Sequence, residues 1–272
     1  MSALFKALLC WTLTLVGGQT LAQSTKVELE DLTWQEVRAA IKAGTTTIIV
    51  PAGGTEQNGP HMSLGKHNGR AKVLAAKIAA RLGNALVAPV MAYVPEGTMT
   101  PPQAHMRFTG TLSITPEAFM AVLDGTARSL KQHGFTDIVL IGDHGSYQAQ
   151  LKSVATKLNG QWSDSNVRVH FIDEYYRTTQ TSYIDALKSK GLTDAQIGVH
   201  AGTADTALTM ATNPSAVRTD RFEEAARGGL RLGVNGDPQP ATVAIGQIGV
   251  DMIVTRTVDA IRAAVKANAA RR

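Results

Sequence analysis

The chain has 272 residues, 44% of them apolar, which one large core can bury without calling for a second domain. Its formal net charge is +5, but Lys and Arg are scattered and aromatics reach only 5%, which excludes a nucleic-acid stripe and favours a small polar molecule as partner. The one cysteine, Cys10, lies so early that a processed chain would hold no disulfide, no thiolate nucleophile and no cysteine metal ligand.

Residues 1–22 read as a cleaved signal peptide: Lys6 gives a positive start, 7–16 form a short apolar core, and Thr20-Leu21-Ala22 offers small residues before a cut. The apolar run is shorter than the roughly 20 residues that span a bilayer. The expectation is export to a bacterial periplasm or medium, no membrane contact after processing, a net charge of +4 once Lys6 is removed, and a single domain over 23–272.

Thr33 and Glu36 are spaced as a capping box, so a first helix runs from 33 to its stop at Gly44. The run 47–51 is β-branched and wholly apolar, as a strand buried on both faces requires. A glycine-rich loop follows, holding Glu56, His61 and His67, and then a helix over 69–81 and a strand over 85–90. Thr115-Pro116 opens a helix reaching about 132, and a buried strand over 136–141 ends in Gly142-Asp143-His144-Gly145. Further helices are expected over 147–158, 183–190 and 203–212, a strand over 167–172, and a mostly helical tail over 240–269. Alternating strands and helices without internal repeats predict a three-layer α/β/α sandwich on a mostly parallel sheet, with ligands at the carboxyl ends of its strands.

Four of the seven histidines, His61, His67, His144 and His200, stand in turns or beside glycine, and Glu56, Asp143 and Asp205 supply carboxylates to the same segments. His133 and His170 fit a helix end and a strand core. With no Gly-x-Ser-x-Gly elbow, no dinucleotide glycine spacing and no phosphate-loop Lys, serine hydrolysis and nucleotide binding have no support, and any metal must be held by His, Asp and Glu.

Glu56-Gln57-Asn58-Gly59-Pro60-His61 resembles the Glu-Gln-His-Gly-Pro-His signature of the creatininase family of amidohydrolases. Gly142-Asp143-His144-Gly145 resembles its Asn-Gly-His-Gly turn, and His200-Ala201-Gly202-Thr203-Ala204-Asp205-Thr206 its His-Ala-Gly-x-x-Glu-Thr segment. Phe108-Thr109-Gly110-Thr111 and Gly233-Val234-Asn235-Gly236-Asp237-Pro238 are softer matches, all in the family's order over about 45–268. The resemblance implies a creatininase-like α/β/α fold, a homo-oligomer such as a hexamer, and a divalent-metal hydrolase of C–N bonds in cyclic or linear amides.

Family members hold two metals. Glu56 and His144 match their ligands, but Asn58 replaces a His, His67 falls where a metal-bridging Asp belongs, and Asp205 stands for a Glu. A neutral imidazole cannot offset the repulsion of two adjacent cations as a shared carboxylate does. The expectation is therefore one metal per chain rather than two, zinc with manganese or iron as alternatives, on Glu56, His67, His144 and Asp205. By resemblance His200 is the proton shuttle, with Asp205 orienting the attacking water. Two alternatives stay open: a lactone or ester hydrolase or lyase on the same fold, and a non-catalytic periplasmic ligand-binding protein.

Overall fold

The computed structural model describes residues 26–271, so the expected leader lies outside the described residues. Four parallel strands, β1 (Thr47–Ala52), β2 (Ala85–Val87), β3 (Asp137–Gly142) and β4 (Arg168–Phe171), form one sheet in the order β2-β1-β3-β4. Among the described residues ten α-helices accompany them: α1 (Trp34–Lys42), α2 (Lys66–Leu82), α3 (Pro116–His133), α4 (Gln148–Gln161), α5 (Glu174–Gln180), α6 (Ser182–Ser189), α7 (Asp194–Ile197), α8 (Thr203–Thr212), α9 (Phe222–Gly228) and α10 (Val243–Ala269).

Period-two alternation along the strands builds the layers. Ile48, Val50, Ile138 and Leu140 point into a core shared with Phe119, Leu123 and Leu151 of α3 and α4. Ile49, Val139 and Ile141 point the other way, onto Leu74 and Ile78 of α2, Leu208 of α8 and Ile253 of α10. Both faces of the sheet are covered, as a parallel sheet requires, and the arrangement is an α/β sandwich of the expected kind. None of the described helices is long and apolar enough to cross a membrane.

The strand order places the chemistry. From β1 the chain passes to β2 on one side, then returns to β3 on the other, so the carboxyl ends of β1 and β3 flank a switch point, where open α/β sheets bind ligands. Register pairs Ala52 with Gly142, and the loops carrying Glu56 and His144 leave from these two residues.

Local chemistry sets the element ends. Thr33 and Glu36 make the expected capping box, and Thr115 caps α3 with Pro116 in its first turn. β2 stops at Val87, short of the expected 85–90, in keeping with Pro89, which has no N–H to give to a ladder. α2 starts at Lys66 rather than 69, which moves His67 out of the loop and into a helical first turn.

Candidate metal centre

Glu56 is fully buried at the centre of the site. Its loop is braced by amides: Asn58 Nδ2 donates to the Glu56 carbonyl at 2.8 Å and the Ser63 carbonyl at 3.0 Å, while Asn68 of α2 accepts the Gly54 N–H at 2.9 Å. Asn58 thus spends both amide hydrogens on the turn. From the other side, the Tyr147 hydroxyl accepts the His144 N–H at 3.1 Å and donates to the Gly53 carbonyl, tying the β3 loop to the β1 loop.

Four histidines converge on the Glu56 carboxylate, His105 among them with its Nε2 3.2 Å from Oε2. His67 Nδ1 lies 2.6 Å from the Asp143 carboxylate and 3.1 Å from Arg70 Nη2, and its Nε2 lies 2.8 Å from Glu56 Oε1, so the ring is held between two groups that only accept. His144 Nδ1 lies 2.8 Å from Ser146 Oγ, whose own hydrogen goes to the Pro95 carbonyl at 2.5 Å. The Ser146 N–H also donates to Nδ1 at 3.3 Å, and Nε2 faces Glu56 Oε2 at 3.4 Å. His200 Nε2 donates to the Gln57 carbonyl at 3.0 Å, which leaves Nδ1 toward Glu56 Oε1 at 3.7 Å.

A ring nitrogen this close to a carboxylate needs a proton or a cation between them. Glu56 Oε2 carries the same signature, being a buried oxygen with no hydrogen-bond partner. Glu56, His67 and His144 bring one ligand atom each within 4.8 Å of one another, and the residues present fit a divalent cation. Glu56, His105 and His200 form a second such group on the other side of the carboxylate.

Around this core lies a charged frame. Lys66 is buried and ion-paired with Asp205, with its Nζ 3.5 Å from Glu56 Oε1. Arg70 bonds Asp143 at 2.8 Å and Asp205 Oδ1 at 2.7 Å, and the Tyr175 hydroxyl donates to Asp143 at 2.8 Å. Burial pushes the Glu56 carboxyl up, but Lys66 and then the hydrogen bond from His67 outweigh it and hold it well below the usual range. Burial likewise opposes ionisation of Asp205, and Lys66 and Arg70 overcome it. At Glu96 burial, then the Glu56 charge, outweigh Lys66 and push it up to about 9, so it stays protonated 3.3 Å from His144 Nδ1. Burial lowers His144 to about 3 and His200 to about 4, keeping both neutral.

The sequence-derived set is only partly brought together. Glu56, His67, His144 and His200 meet; Asp205 stands apart, its Oδ2 taken by Lys66 and the Ala201 N–H at 3.0 Å and its Oδ1 by Arg70. His61 is buried away from the cluster, bonded to Thr206 Oγ1 at 3.0 Å and edge-on to Phe222. Asp143 orients an imidazole as expected of a neighbour to a ligand, but that of His67. Lys66, which the sequence reads as a solvated lysine or at most an oxyanion stabiliser, is 1% exposed. From the sequence, Ser146 reads only as a helix cap or a substrate contact and His105 only as part of a Pro/Gly-rich segment, 93–110, facing substrate or another subunit, while Gln57 has no role there. The cavity beside the cluster, about 90 Å³, is walled by His67, His144, His200, Tyr176, Gln180 and Tyr183.

A parallel sheet with a buried carboxylate–histidine cluster at its switch point defines an α/β enzyme with a candidate metal centre. The creatininase (creatinine amidohydrolase) family model matches residues 30–261, and the chain belongs to that family. Its relatives include the mycofactocin precursor peptide peptidase of Mycobacterium tuberculosis (strain ATCC 25618 / H37Rv), 27% identical over 226 residues, 74% of this chain and 78% of the relative. Creatinine amidohydrolase of Pseudomonas putida is 29% identical over 121 residues, 44% of this chain and 46% of the relative. Among solved structures, "Creatininase Mn" aligns with a TM-score of 0.73 at 22% identity over 88% of this chain and 99% of that one. A creatinine amidohydrolase (creatininase) crystal structure gives 0.72 at 22% over 88% and 97%. These two likenesses carry the fold; the chain is a hydrolase by its family.

Proposed function

We propose that this chain is an exported, metal-dependent hydrolase that cleaves the C–N bond of a small polar amide or cyclic amide. The observation that carries the reading is the convergence of ring nitrogens of His67, His144 and His200 on one buried carboxylate whose Oε2 has no hydrogen-bond partner. Glu56, His67 Nε2 and His144 Nε2 would hold the ion, zinc by the chemistry of two imidazoles and a carboxylate, with manganese or iron(II) as alternatives. Such an ion lowers the pKa of a bound water and polarises a carbonyl.

Charge balance favours one ion. Three ionised carboxylates (Glu56, Asp143, Asp205) face two fixed cations (Lys66, Arg70), a net single negative charge; one divalent ion turns it to +1 and two would make it +3. Buried uncompensated charge is costly. Lys66 already supplies the second positive centre between Glu56 and Asp205. Asp205 is read as the anchor of Lys66 and Arg70, and not as a ligand.

In the reaction His200 takes a proton from the attacking water at Nδ1 and passes it to the leaving nitrogen; its neutral state at pH 7 suits it to accept. Asp143 behind His67 and Ser146 behind His144 hold the two ligand imidazoles in orientation. The cavity of about 90 Å³ favours a small substrate over a long one. Export is supported by the leader pattern of 1–22, and a mature chain starting at Gln23 in the periplasmic fraction is the expected mass-spectrometric result. A homo-oligomer, a hexamer, is proposed on family resemblance and is read by light scattering. Screening zinc-loaded protein against amides, lactones and sugar acids tests the chemistry: release of ammonia or an amine supports it, and turnover of lactones alone refutes it.

A further inference from the structure

Besides His67, His144 and His200, a fourth imidazole, that of His105, faces Glu56. Gln57 assigns its ring proton. Its Oε1 accepts the Gly59 N–H at 3.0 Å, which fixes the orientation of the amide, and its Nε2 donates to the Gly233 carbonyl at 3.1 Å. The second Nε2 hydrogen has two imidazoles in reach at 3.1 Å, His105 Nδ1 and His200 Nε2, but His200 Nε2 is itself a donor, to the Gln57 carbonyl. The hydrogen therefore goes to His105 Nδ1, and His105 carries its own proton on Nε2, which faces Glu56 Oε2 at 3.2 Å. Glu56 Oε2 makes no aligned hydrogen bond, so that N–H is presented to the site rather than consumed.

A second observation is independent of hydrogen bonding. The two described non-glycine residues with positive φ are Ala104 (50°) and Ala201 (57°), the immediate neighbours of His105 and His200. Strain of this kind persists where the surroundings impose it, most often at working sites. Here it brings two imidazoles from segments far apart in sequence to a centroid distance of 4.5 Å.

Resting on the proposed amide hydrolysis, we infer that His105 is a second catalytic residue, whose Nε2–H donates a hydrogen bond to the substrate carbonyl oxygen as it gains negative charge. The water oxygen bonds to the carbonyl carbon, one water proton passes to His200 Nδ1 and on to the nitrogen, and the C–N electron pair leaves with that nitrogen. His105 transfers no proton. Its inward N–H also sets it apart from a ligand, although Glu56, His105 and His200 lie close enough to enclose an ion.

The test uses the zinc-loaded full chain and the panel amide that the wild type cleaves fastest. Replacing His105→Ala should lower kcat by about 10²–10³-fold, the loss typical of one oxyanion donor, with zinc per chain unchanged. His105→Gln, which keeps an N–H near the same place, should recover about tenfold of that loss. Loss of zinc with His105→Ala would make His105 a ligand and overturn the inference, as would a wild-type kcat or a Gln variant no better than Ala. Nitrogen-15 NMR of the zinc-loaded protein separates the two layers of the reading. A wild type inert on every amide fails the reaction, whereas a proton on Nδ1 of His105 fails the donor itself.

Discussion

The two sides of Glu56 are built differently. On one side His67 stands in the first turn of α2 and His144 two residues past β3, each with its outer nitrogen held by a fixed partner. On the other side His105 stands in a short 3-10 helix (Ala104–Arg107) and His200 in an isolated bridge to Asn235, each beside a strained alanine, and Gln57 bonds both, His105 through its side-chain amide and His200 through its carbonyl. Rigid elements suit groups that must hold an ion at fixed distances, and shaped loops suit groups that must meet a substrate.

This contrast can be broken from either side. The largest effect is expected from Glu56→Ala, which removes the carboxylate common to both sides and should abolish zinc binding and turnover together. Next, His200→Ala should lower kcat by about 10²–10⁴-fold while elemental analysis still finds the metal; parallel loss of zinc would move His200 to the ion-holding side. Asp143→Asn, behind His67, should instead weaken zinc affinity by about 10–100-fold, read by competition with a chelator. Gln57→Ala should leave zinc affinity intact and lower kcat by about 10–100-fold through misplaced imidazoles.

The smallest effect concerns stability. Burial pushes His61 down to about 4 from its ordinary 6.5, so below 6.5 the unfolded chain binds the proton more tightly than the folded one. Its contribution is complete above pH 6.5 and is lost as pH falls from 6.5 to 4. Urea midpoints of His61→Asn should therefore decline less between pH 7 and 4.5 than those of the wild type.

Much of the sheet and the ion-holding side was legible because both follow from local pattern. Apolar runs marked β1 and β3, and the turns after them carried Glu56 and His144. α8 occupies the expected 203–212 span. The start of α2 was hidden because its N-cap is Gly65, which has no side chain to signal a helix. Burial of Lys66 was hidden for another reason: lysine is buried only when paired, and Asp205 lies 139 residues away. His105 stood in a Pro-rich segment whose periodicity says nothing, and its partner Gln57 is 48 residues off. Gly233 belongs to the same class: a Cβ there would fall 1.9 Å from Gln57 Oε1, a constraint on His105 and His200 that no local pattern reveals.

The central claim is one ion held on Glu56, His67 and His144, and elemental analysis of the mature chain, purified without a chelating tag, tests it most directly beside Glu56→Ala and His144→Ala. The account predicts about one zinc, manganese or iron per chain in the wild type and close to none in either variant, as a two-His, one-carboxylate site requires. Two ions of equal occupancy, or full metal retained without His144, would contradict it.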